Sequence, residues 1–400
     1  MKFRHQVLLG LAVVLLVCGA LPAPAEAQFT QQGPKLVGTG AVGGSGQGNS
    51  VSLSADGNTA IVGGPADNNY AGAAWVFTRS GGIWSQQGPK LVGSGAVGQA
   101  EQGSVAVSGD GDTAMVGGPV DSDGVGAAWV FTRSGAVWRQ EAKLVGADAA
   151  GNSQQGFRVS LSSDGNTAIV GGPSDNNRTG AAWVFTRSSG IWSQQGPKLV
   201  GSGAVGQAQQ GLSVSVSGDG GTAMVGGPVD NSYTGAAWVF VRSDGEWTQQ
   251  GLKLVGSGAI AQAEQGYSVS LSGDGNTAIV GALVDPAGTW VFTRSDGVWT
   301  QQGSKLVGTG AVGPGGHGYP VSISMDGSTA IVGAPGDDEV GAVWVYAQPM
   351  FAGTPGKANC HGQSVSALAR MYGGLNGATA ALGYADVSAL QSAIMTFCGG

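Results

Sequence analysis

The chain has 400 residues, of which 76 are glycine, and it is 42% hydrophobic but only 11% charged. A disordered chain has the reverse balance, so this one can bury a large core with frequent glycine turns, which is typical of an all-β protein. Its formal net charge of −7 gives no basic surface, so we expect no nucleic-acid partner.

The N-terminus has the pattern of a signal peptide. Basic residues precede an uncharged apolar stretch, residues 7–21, and Ala-Glu-Ala follows at 25–27. These are the three parts of a cleavable export signal, so we expect cleavage after Ala27 and a secreted, periplasmic or cell-surface location. No later stretch is long enough to predict a membrane span in the mature chain. Cys18 raises the alternative of a lipid anchor, but Val17 stands where such signals carry a small residue.

Two cysteines, Cys360 and Cys398, remain after that cleavage. An even pair in an exported protein indicates a disulfide, because export leads to an oxidising compartment. The alternative is a pair of buried free thiols.

The body of the chain consists of six copies of one unit. A motif Asp-Gly-x-Thr-Ala recurs at intervals of 52–55 residues, and a Trp-Val-aromatic motif recurs in step with it. The motifs begin at Asp56, Asp110, Asp164, Asp219, Asp274 and Asp326, and at Trp75, Trp129, Trp183, Trp238, Trp290 and Trp344. A second tryptophan follows nine residues after each of the first five, and Lys-Leu-Val-Gly also occurs six times. Such a period indicates a repeat architecture.

Each unit is predicted to form four short strands. In the first unit these are residues 51–54, 59–62, 73–78 and 83–92, and an Asp-Gly turn separates the first two. Proline within the last segment fits only an edge strand, where no ladder hydrogen bond is lost. Four strands per unit, ending on a protected edge, are typical of a β-propeller blade.

The two ends of the repeat array complement each other. The sixth unit has no fourth strand, whereas residues 28–37 match residues 83–92, with Phe29 in the place of Trp84. We therefore expect residues 28–37 to pair with the strand around Trp344 and to close a six-bladed β-propeller over residues 28–347. An open solenoid would instead carry atypical capping repeats.

The sixth unit resembles an FG-GAP repeat, the unit of integrin-α-type propellers and of many exported bacterial proteins. The resemblance rests on Gly-Tyr-Pro-Val-Ser-Ile-Ser-Met-Asp-Gly-Ser-Thr-Ala-Ile-Val-Gly-Ala-Pro at 318–335 and on Gly-Ala-Val-Trp-Val-Tyr at 341–346. It implies a β-propeller with a role in extracellular recognition. The Phe-Gly element of the family is Gln-Gly in five units and His-Gly in the sixth, and this chain has six units where integrin propellers usually have seven blades.

The resemblance also implies Ca²⁺ loops of the form Asp-x-Asp-x-Asp-Gly. Here Ser54 stands two residues before Asp56, and the other units match, so each loop has too few carboxylates for a tight site. We expect the aspartates to form turns and the protein to need no cofactor. Weak Ca²⁺ binding is the alternative, with Asp110 and Asp112 as its candidates.

Catalysis finds little support in the sequence. Only His317 and His361 remain after cleavage, which excludes a multi-histidine metal centre. An enzyme acting on a polysaccharide through two carboxylates remains an alternative. The tryptophans are expected to pack between blades rather than to stack on sugars, and the repeated lysines and arginines are expected to be solvated.

One face of the predicted propeller carries the most variable loops. It collects the loop between the second and third strands of each blade, together with the linkers between blades, and Arg178 is its only expected permanent cation. Such a face favours cations or basic partner surfaces, although the loops could equally be plain solvated connections. The candidate binding residues are Asp67, Asn69, Tyr70, Asp121, Asp123, Asp175, Arg178, Asp230, Tyr233, Asp337 and Asp338.

Residues 348–400 lack the repeat and are predicted to form two or three short helices, with Asp386 as an N-cap. The disulfide would supply the stability that so small a segment lacks. We therefore expect a monomeric, exported, non-catalytic propeller that binds a protein or glycan ligand. The alternatives are a lectin-like propeller and the polysaccharide-active enzyme.

Overall fold

The computed structural model describes residues 31–284, 288–311, 317–347, 358–381 and 386–399. The expected signal peptide and the expected mature N-terminus lie outside these residues. The chain divides into two compact units, Met1–Leu36 and Val37–Gly400. In the first unit the described residues, 31–36, form no strand. Among the helices that are described, none has the length and apolar character needed to cross a membrane.

Six antiparallel sheets make up most of the second unit, and within each sheet the strands pair in chain order. Each sheet is one blade, and the six-bladed propeller predicted from the repeats is confirmed. Blades one to three contain β1 Ser50–Leu53, β2 Thr59–Gly64, β3 Ala73–Ser80, β4 Ile83–Gln86; β5 Ser104–Val107, β6 Thr113–Gly118, β7 Ala127–Ser134, β8 Val137–Leu144; β9 Arg158–Leu161, β10 Thr167–Gly172, β11 Ala181–Ser188 and β12 Ile191–Gln194. Blades four to six contain β13 Ser213–Val216, β14 Thr222–Gly227, β15 Ala236–Ser243, β16 Glu246–Gln249; β17 Gln265–Leu271, β18 Thr277–Ala282, β19 Thr289–Ser295, β20 Val298–Gln301; β21 Val321–Ile323, β22 Thr329–Ala334 and β23 Ala342–Ala347.

The fourth strand of most blades is shorter than the sequence suggests. In blade one it ends at Gln86, because Gly88 adopts a φ of 74° and Pro89 has no N–H to donate. Only an isolated bridge between Ala74 and Leu91 continues the pairing. Blades four and five keep this glycine without the proline, and their fourth strands also end early. Blade two has no glycine here, and its β8 runs on to Leu144 with one irregularity in its register.

The innermost strands of all six blades line a central channel of about 760 Å³. Backbone amides of one inner strand donate to serine hydroxyls of the blade before it. Val105 N–H donates to Ser50 Oγ at 3.0 Å, and Val107 N–H donates to Ser52 Oγ at 3.1 Å. These bonds satisfy amides that have no partner strand on that side.

The first tryptophan set forms the core between blades, as the sequence predicts. Trp75, Trp129, Trp183, Trp238 and Trp290 are fully buried. Each ring packs under the glycine of a Lys-Leu-Val-Gly segment: a Cβ placed on Gly93 would lie 2.2 Å from Trp129 Cγ. The indole N–H of Trp129 donates to the carbonyl of Ser94 at 2.9 Å. The glycine is therefore needed because the linker crosses the ring at van der Waals contact.

Apolar surface remains exposed at both ends of the series of blades. Val51 and Leu53 of blade one are 68% and 57% exposed, whereas their counterparts in blade two, Val105 and Val107, are buried. On blade six, Val343 and Val345 are 62% and 65% exposed. The sixth sheet has three strands among the described residues. The predicted closing strand begins outside those residues, so its pairing with β23 stays a prediction.

The C-terminal segment is helical, as expected. Helices α1 Cys360–Tyr372, α2 Leu375–Ala381 and α3 Val387–Gly399 pack around a small core of Leu368, Ala378, Leu390 and Ile394. Asp386 caps α3, because its carboxylate accepts the Ala389 N–H at 2.8 Å. The predicted disulfide joins Cys360 to Cys398 with a Cα–Cα distance of 5.6 Å.

The contact between linker glycine and tryptophan predicts a steric effect. In Gly201→Ala the new Cβ would lie 2.0 Å from Trp238 Cδ1, so we expect a loss of about 1–3 kcal/mol in the free energy of unfolding. Gly44→Ala is the matched control, because a Cβ there meets no atom within 4 Å. Urea unfolding followed by tryptophan fluorescence measures both. Equal stability of the two variants would contradict this packing.

Candidate functional site

In blades one to four and six, the connections between the second and third strands contain left-handed turns on one face of the propeller. They span Asp67–Tyr70, Asp121–Gly124, Asp175–Arg178, Asp230–Tyr233 and Asp337–Glu339. We call the surface made by these turns and by the linkers between blades the loop face. It is the face on which the sequence places recognition.

The backbone of these turns is held in a costly conformation. In blade three, Asn176, Asn177 and Arg178 have φ values of 48°, 54° and 68° in succession. Left-handed backbone is disfavoured for residues with a Cβ, although asparagine tolerates it best. Three such residues in a row persist only where surrounding contacts fix them.

A buried aspartate supplies those contacts. Asp175 is 1% exposed, and its Oδ1 accepts the Ala150 N–H of the preceding linker at 2.7 Å. Its Oδ2 pairs with Lys198 Nζ, from the segment after β12, also at 2.7 Å. The Ala150 carbonyl in turn accepts the Asn176 N–H at 2.9 Å. One carboxylate thus ties together a turn, a linker and the outer edge of the blade; we call this arrangement the aspartate clamp.

The clamp recurs in three other blades and corrects two sequence-based expectations. Lys90 pairs with Asp67, Lys143 with Asp121, and Lys253 with Asp230. These lysines are ion-paired and not simply solvated, and they bring further positive charge to the loop face beside Arg178. The candidate binding residues Asp67, Asp121, Asp175, Asp230 and Asp337 are buried, so their carboxylates organise the face and do not line its surface.

The remaining candidates are exposed at the tips of the turns. They are Asn69, Tyr70, Asp123, Arg178, Tyr233 and Asp338. The last turn residue also touches the linker to the next blade: the Tyr70 carbonyl accepts the Glu101 N–H at 2.8 Å, and the Arg178 carbonyl accepts the Gln209 N–H at 2.9 Å. The tips therefore differ in chemistry from blade to blade while their backbones share one framework.

A cleft of about 850 Å³ opens on the loop face beside the turn of blade three. Polar side chains dominate its walls, and Arg178 is the charged residue among them. The polar lining residues are Asn152, Gln154, Ser174, Asn176, Asn177, Arg178 and Gln207. Sequence reasoning identifies Arg178 but misses the amides of the linkers, because only the folded chain brings the linkers beside the turn.

The arginines on the opposite face hold blades together. Arg187 stacks on the Trp192 ring, 5.4 Å from its centroid, and donates to Glu141 of the preceding blade at 3.0 Å. The guanidinium groups predicted to be solvated are therefore part of an inter-blade contact. The second tryptophan set lies against these arginines, with the pairs Arg79–Trp84, Arg133–Trp138, Arg242–Trp247 and Arg294–Trp299.

The Asp-Gly aspartates of that face act as turn formers. Asp56 accepts hydrogen bonds from the Ser54 hydroxyl and from the backbone and side chain of Asn58. These bonds lower the pKa of Asp56 to about 2, because they stabilise the ionised carboxylate. The serine that replaces a Ca²⁺ ligand in the family motif thus serves as the donor that fixes the turn.

The two weak Ca²⁺ candidates have protein partners. Asp110 accepts the Asp112 N–H at 2.9 Å, and Asp112 pairs with Arg133 at 2.8 Å. Within the described part of the chain, no three His, Cys, Asp or Glu side chains are grouped as a metal site would require. The absence of a cofactor stays an expectation.

Glutamine at the Phe-Gly position has a structural role that the sequence alone does not reveal. Gln155 is fully buried, and its Oε1 accepts the Gly146 N–H. Gln102, Gln210 and Gln265 make the same bond with Gly93, Gly201 and Gly256. A constant spacing of nine residues between the glycine and the glutamine is the signal that could have indicated it.

Comparison with known families supports the repeat assignment. A model of the FG-GAP repeat matches residues 138–185, which run from β8 through the cleft-forming linker and turn to β11. This match and the six-bladed β-propeller together support an FG-GAP β-propeller. The matched residues run from the last strand of blade two to the third strand of blade three. They include Ala150 and Asp175 of the aspartate clamp but not its lysine, Lys198. No curated protein matches the sequence.

The clamp supplies a test of propeller closure. By repeat correspondence Lys35 is the counterpart of Lys90, and Asp337 is the counterpart of Asp67. If residues 28–37 form the fourth strand of blade six, Lys35→Met and Asp337→Asn each remove the same ion pair. Their effects on the free energy of unfolding, measured in urea, will then be non-additive in a double-mutant cycle. Lys90→Met and Asp67→Asn are the control cycle. Additive effects for the first pair, with coupling in the control, would contradict closure.

Proposed function

We propose that this protein is an exported, non-catalytic binding scaffold whose loop face recognises a protein or glycan ligand outside the cell. The observation that carries the proposal is the combination of exposed, chemically varied turn tips with a strained backbone fixed by buried clamps. Binding residues on loops that a rigid scaffold positions are the usual arrangement in recognition domains. Preorganised tips lose little conformational entropy when a ligand binds.

Extracellular location is supported by the covalent chemistry of the C-terminal segment. The Cys360–Cys398 disulfide is compatible with an extracellular protein, since such bonds persist in oxidising compartments. The signal-peptide pattern of residues 1–27 agrees with this location. Sequencing the N-terminus of the secreted protein would test cleavage after Ala27.

A non-catalytic role is supported by how the carboxylates are used. The buried carboxylates of Asp67, Asp121, Asp175 and Asp230 each pair with a lysine and accept a backbone N–H, an arrangement that holds structure in place. The polysaccharide-active enzyme of the sequence analysis would need two carboxylates that face a substrate. The ligand of the scaffold is therefore proposed to leave the loop face chemically unchanged.

Sugar binding through exposed tryptophan faces has no support from the packing. Five tryptophans of the first set are fully buried and the sixth, Trp344, is half-buried, whereas the second set lies against arginines. The exposed aromatic side chains of the loop face are Tyr70 and Tyr233, which are 53% and 46% exposed. Amphipathic side chains of this kind suit protein and glycan ligands alike.

The proposal predicts which face a ligand requires. Blade two has Gly124 where the other turns have Tyr70, Arg178 and Tyr233, so replacing these three residues by glycine follows a natural precedent in the same fold. We expect the triple variant to lose at least tenfold in binding to the immobilised glycans or secreted proteins that the mature protein binds on a mixed array.

Ile83→Ala with Ile191→Ala is the matched control for that measurement. These side chains are 73% and 71% exposed at the starts of β4 and β12, next to the opposite face. The control should bind as the unaltered protein does. Equal loss in both variants, no loss in the triple variant, or no binding of the unaltered protein to any probe would overturn the proposal.

A further inference from the structure

The blade-three cleft has the size of a ligand site. Its volume of about 850 Å³ lies within the range of about 300–1,000 Å³ that is usual for small-molecule pockets. We propose that it binds a uronate residue of an acidic polysaccharide, with Arg178 binding the carboxylate and the surrounding amides binding the ring hydroxyls. This inference rests on the proposed function, because it names a ligand class for the same face.

Arg178 carries a positive charge that the fold does not neutralise. It is exposed, and no ion pair between described residues includes it. Asp175, in the same turn, already uses one oxygen for Ala150 and the other for Lys198. An anionic ligand would supply the counter-charge, since a guanidinium group binds a carboxylate through two parallel hydrogen bonds.

The residues around Arg178 differ in charge from those at the equivalent positions of other blades. The Tyr70 and Tyr233 carbonyls accept the backbone N–H groups of two linker glutamates, Glu101 and Glu264. The Arg178 carbonyl instead accepts the backbone N–H of a glutamine, Gln209. No acidic residue is among those lining the cleft. The linker residue next to Arg178 is thus a neutral glutamine, whereas the linker residue next to each tyrosine is a glutamate. This difference leaves the cleft positive.

The uncharged part of the cleft suits a polyol. Its lining includes Asn152, Asn176, Asn177 and Gln207, and each amide both donates and accepts hydrogen bonds, as sugar hydroxyls do. Gln154 Oε1 accepts a bond from Ser174 Oγ at 2.6 Å, so its Nε2 can donate to a ligand. A ligand with an apolar body would leave these amides unpaired.

Affinity in this cleft must come from charge and hydrogen bonds, because no aromatic side chain lines it. A neutral sugar would lack both the ring stacking that usually supports it and the counter-charge to Arg178. A uronate satisfies both halves of the site: one carboxylate for the guanidinium group, and several hydroxyls for the amides. An acidic peptide would supply the carboxylate and some backbone hydrogen bonds, but not the several adjacent hydroxyls of a sugar ring.

Calorimetric titration of the mature protein with trigalacturonate and trimannuronate tests the inference. We expect at least one of them to bind, its methyl ester to bind at least tenfold more weakly, and oligoglutamate of equal charge to bind at least tenfold more weakly. Arg178→Gly should lose binding at least tenfold. Arg178→Lys should retain part of it, because the charge remains but the two-pronged geometry does not. Ile191→Ala, which removes a 71% exposed side chain of the same blade next to the opposite face, is the matched control and should bind as the unaltered protein does.

Four outcomes would overturn the inference. Equal binding of the methyl ester would remove the role of charge, and equal binding of oligoglutamate would make the ligand a peptide. Failure of both uronates to bind, while the array ligand still requires the loop face, would show that the cleft inference is wrong and the scaffold proposal stands. If neither uronate binds and array binding does not depend on the loop face, both the cleft inference and the scaffold proposal are overturned.

Discussion

The recurring aspartate clamp is the interaction on which the loop face depends. A carboxylate such as that of Asp175, 1% exposed, is costly to bury unless it is paired and hydrogen-bonded. Here one carboxylate oxygen accepts a hydrogen bond from a linker N–H, and the other forms an ion pair with a lysine. The carboxylate is therefore both hydrogen-bonded and paired. The same bonds join the three segments that must meet for the turn to keep its left-handed backbone. Removing one partner would leave a buried charge unpaired.

Two kinds of contact thus have different roles in the fold. Tryptophan rings under linker glycines hold neighbouring blades at a fixed separation, and the clamps hold the connecting segments above them. The tips of the turns contribute little to either contact, so their side chains can differ between blades without disturbing the framework. Gly124, Arg178 and Tyr233 occupy equivalent positions with nearly the same backbone. This separation of framework from surface is what a recognition scaffold requires.

Much of the fold follows from the sequence because the repeat fixes the spacing of strands, turns and core tryptophans. The strands of blade one begin at or within one residue of their predicted positions, since alternation and Asp-Gly turns are local signals. The clamp is harder to predict: Lys90 follows Asp67 by a nearly constant interval in each unit, but Asp56 recurs equally regularly, and only the folded chain distinguishes them. The cleft also depends on how two linkers and a turn meet, which no local pattern encodes.

Hydrogen exchange in a clamp-deficient variant tests most directly whether the clamp fixes the loop face. Asp175→Ala combined with Lys198→Met removes one clamp without leaving an unpaired buried charge. The account predicts exchange at least tenfold faster at the amides of Ala150 and Asn176, with unchanged protection in β10 of the same blade. Unchanged exchange at Ala150, or equally faster exchange throughout β10, would contradict it.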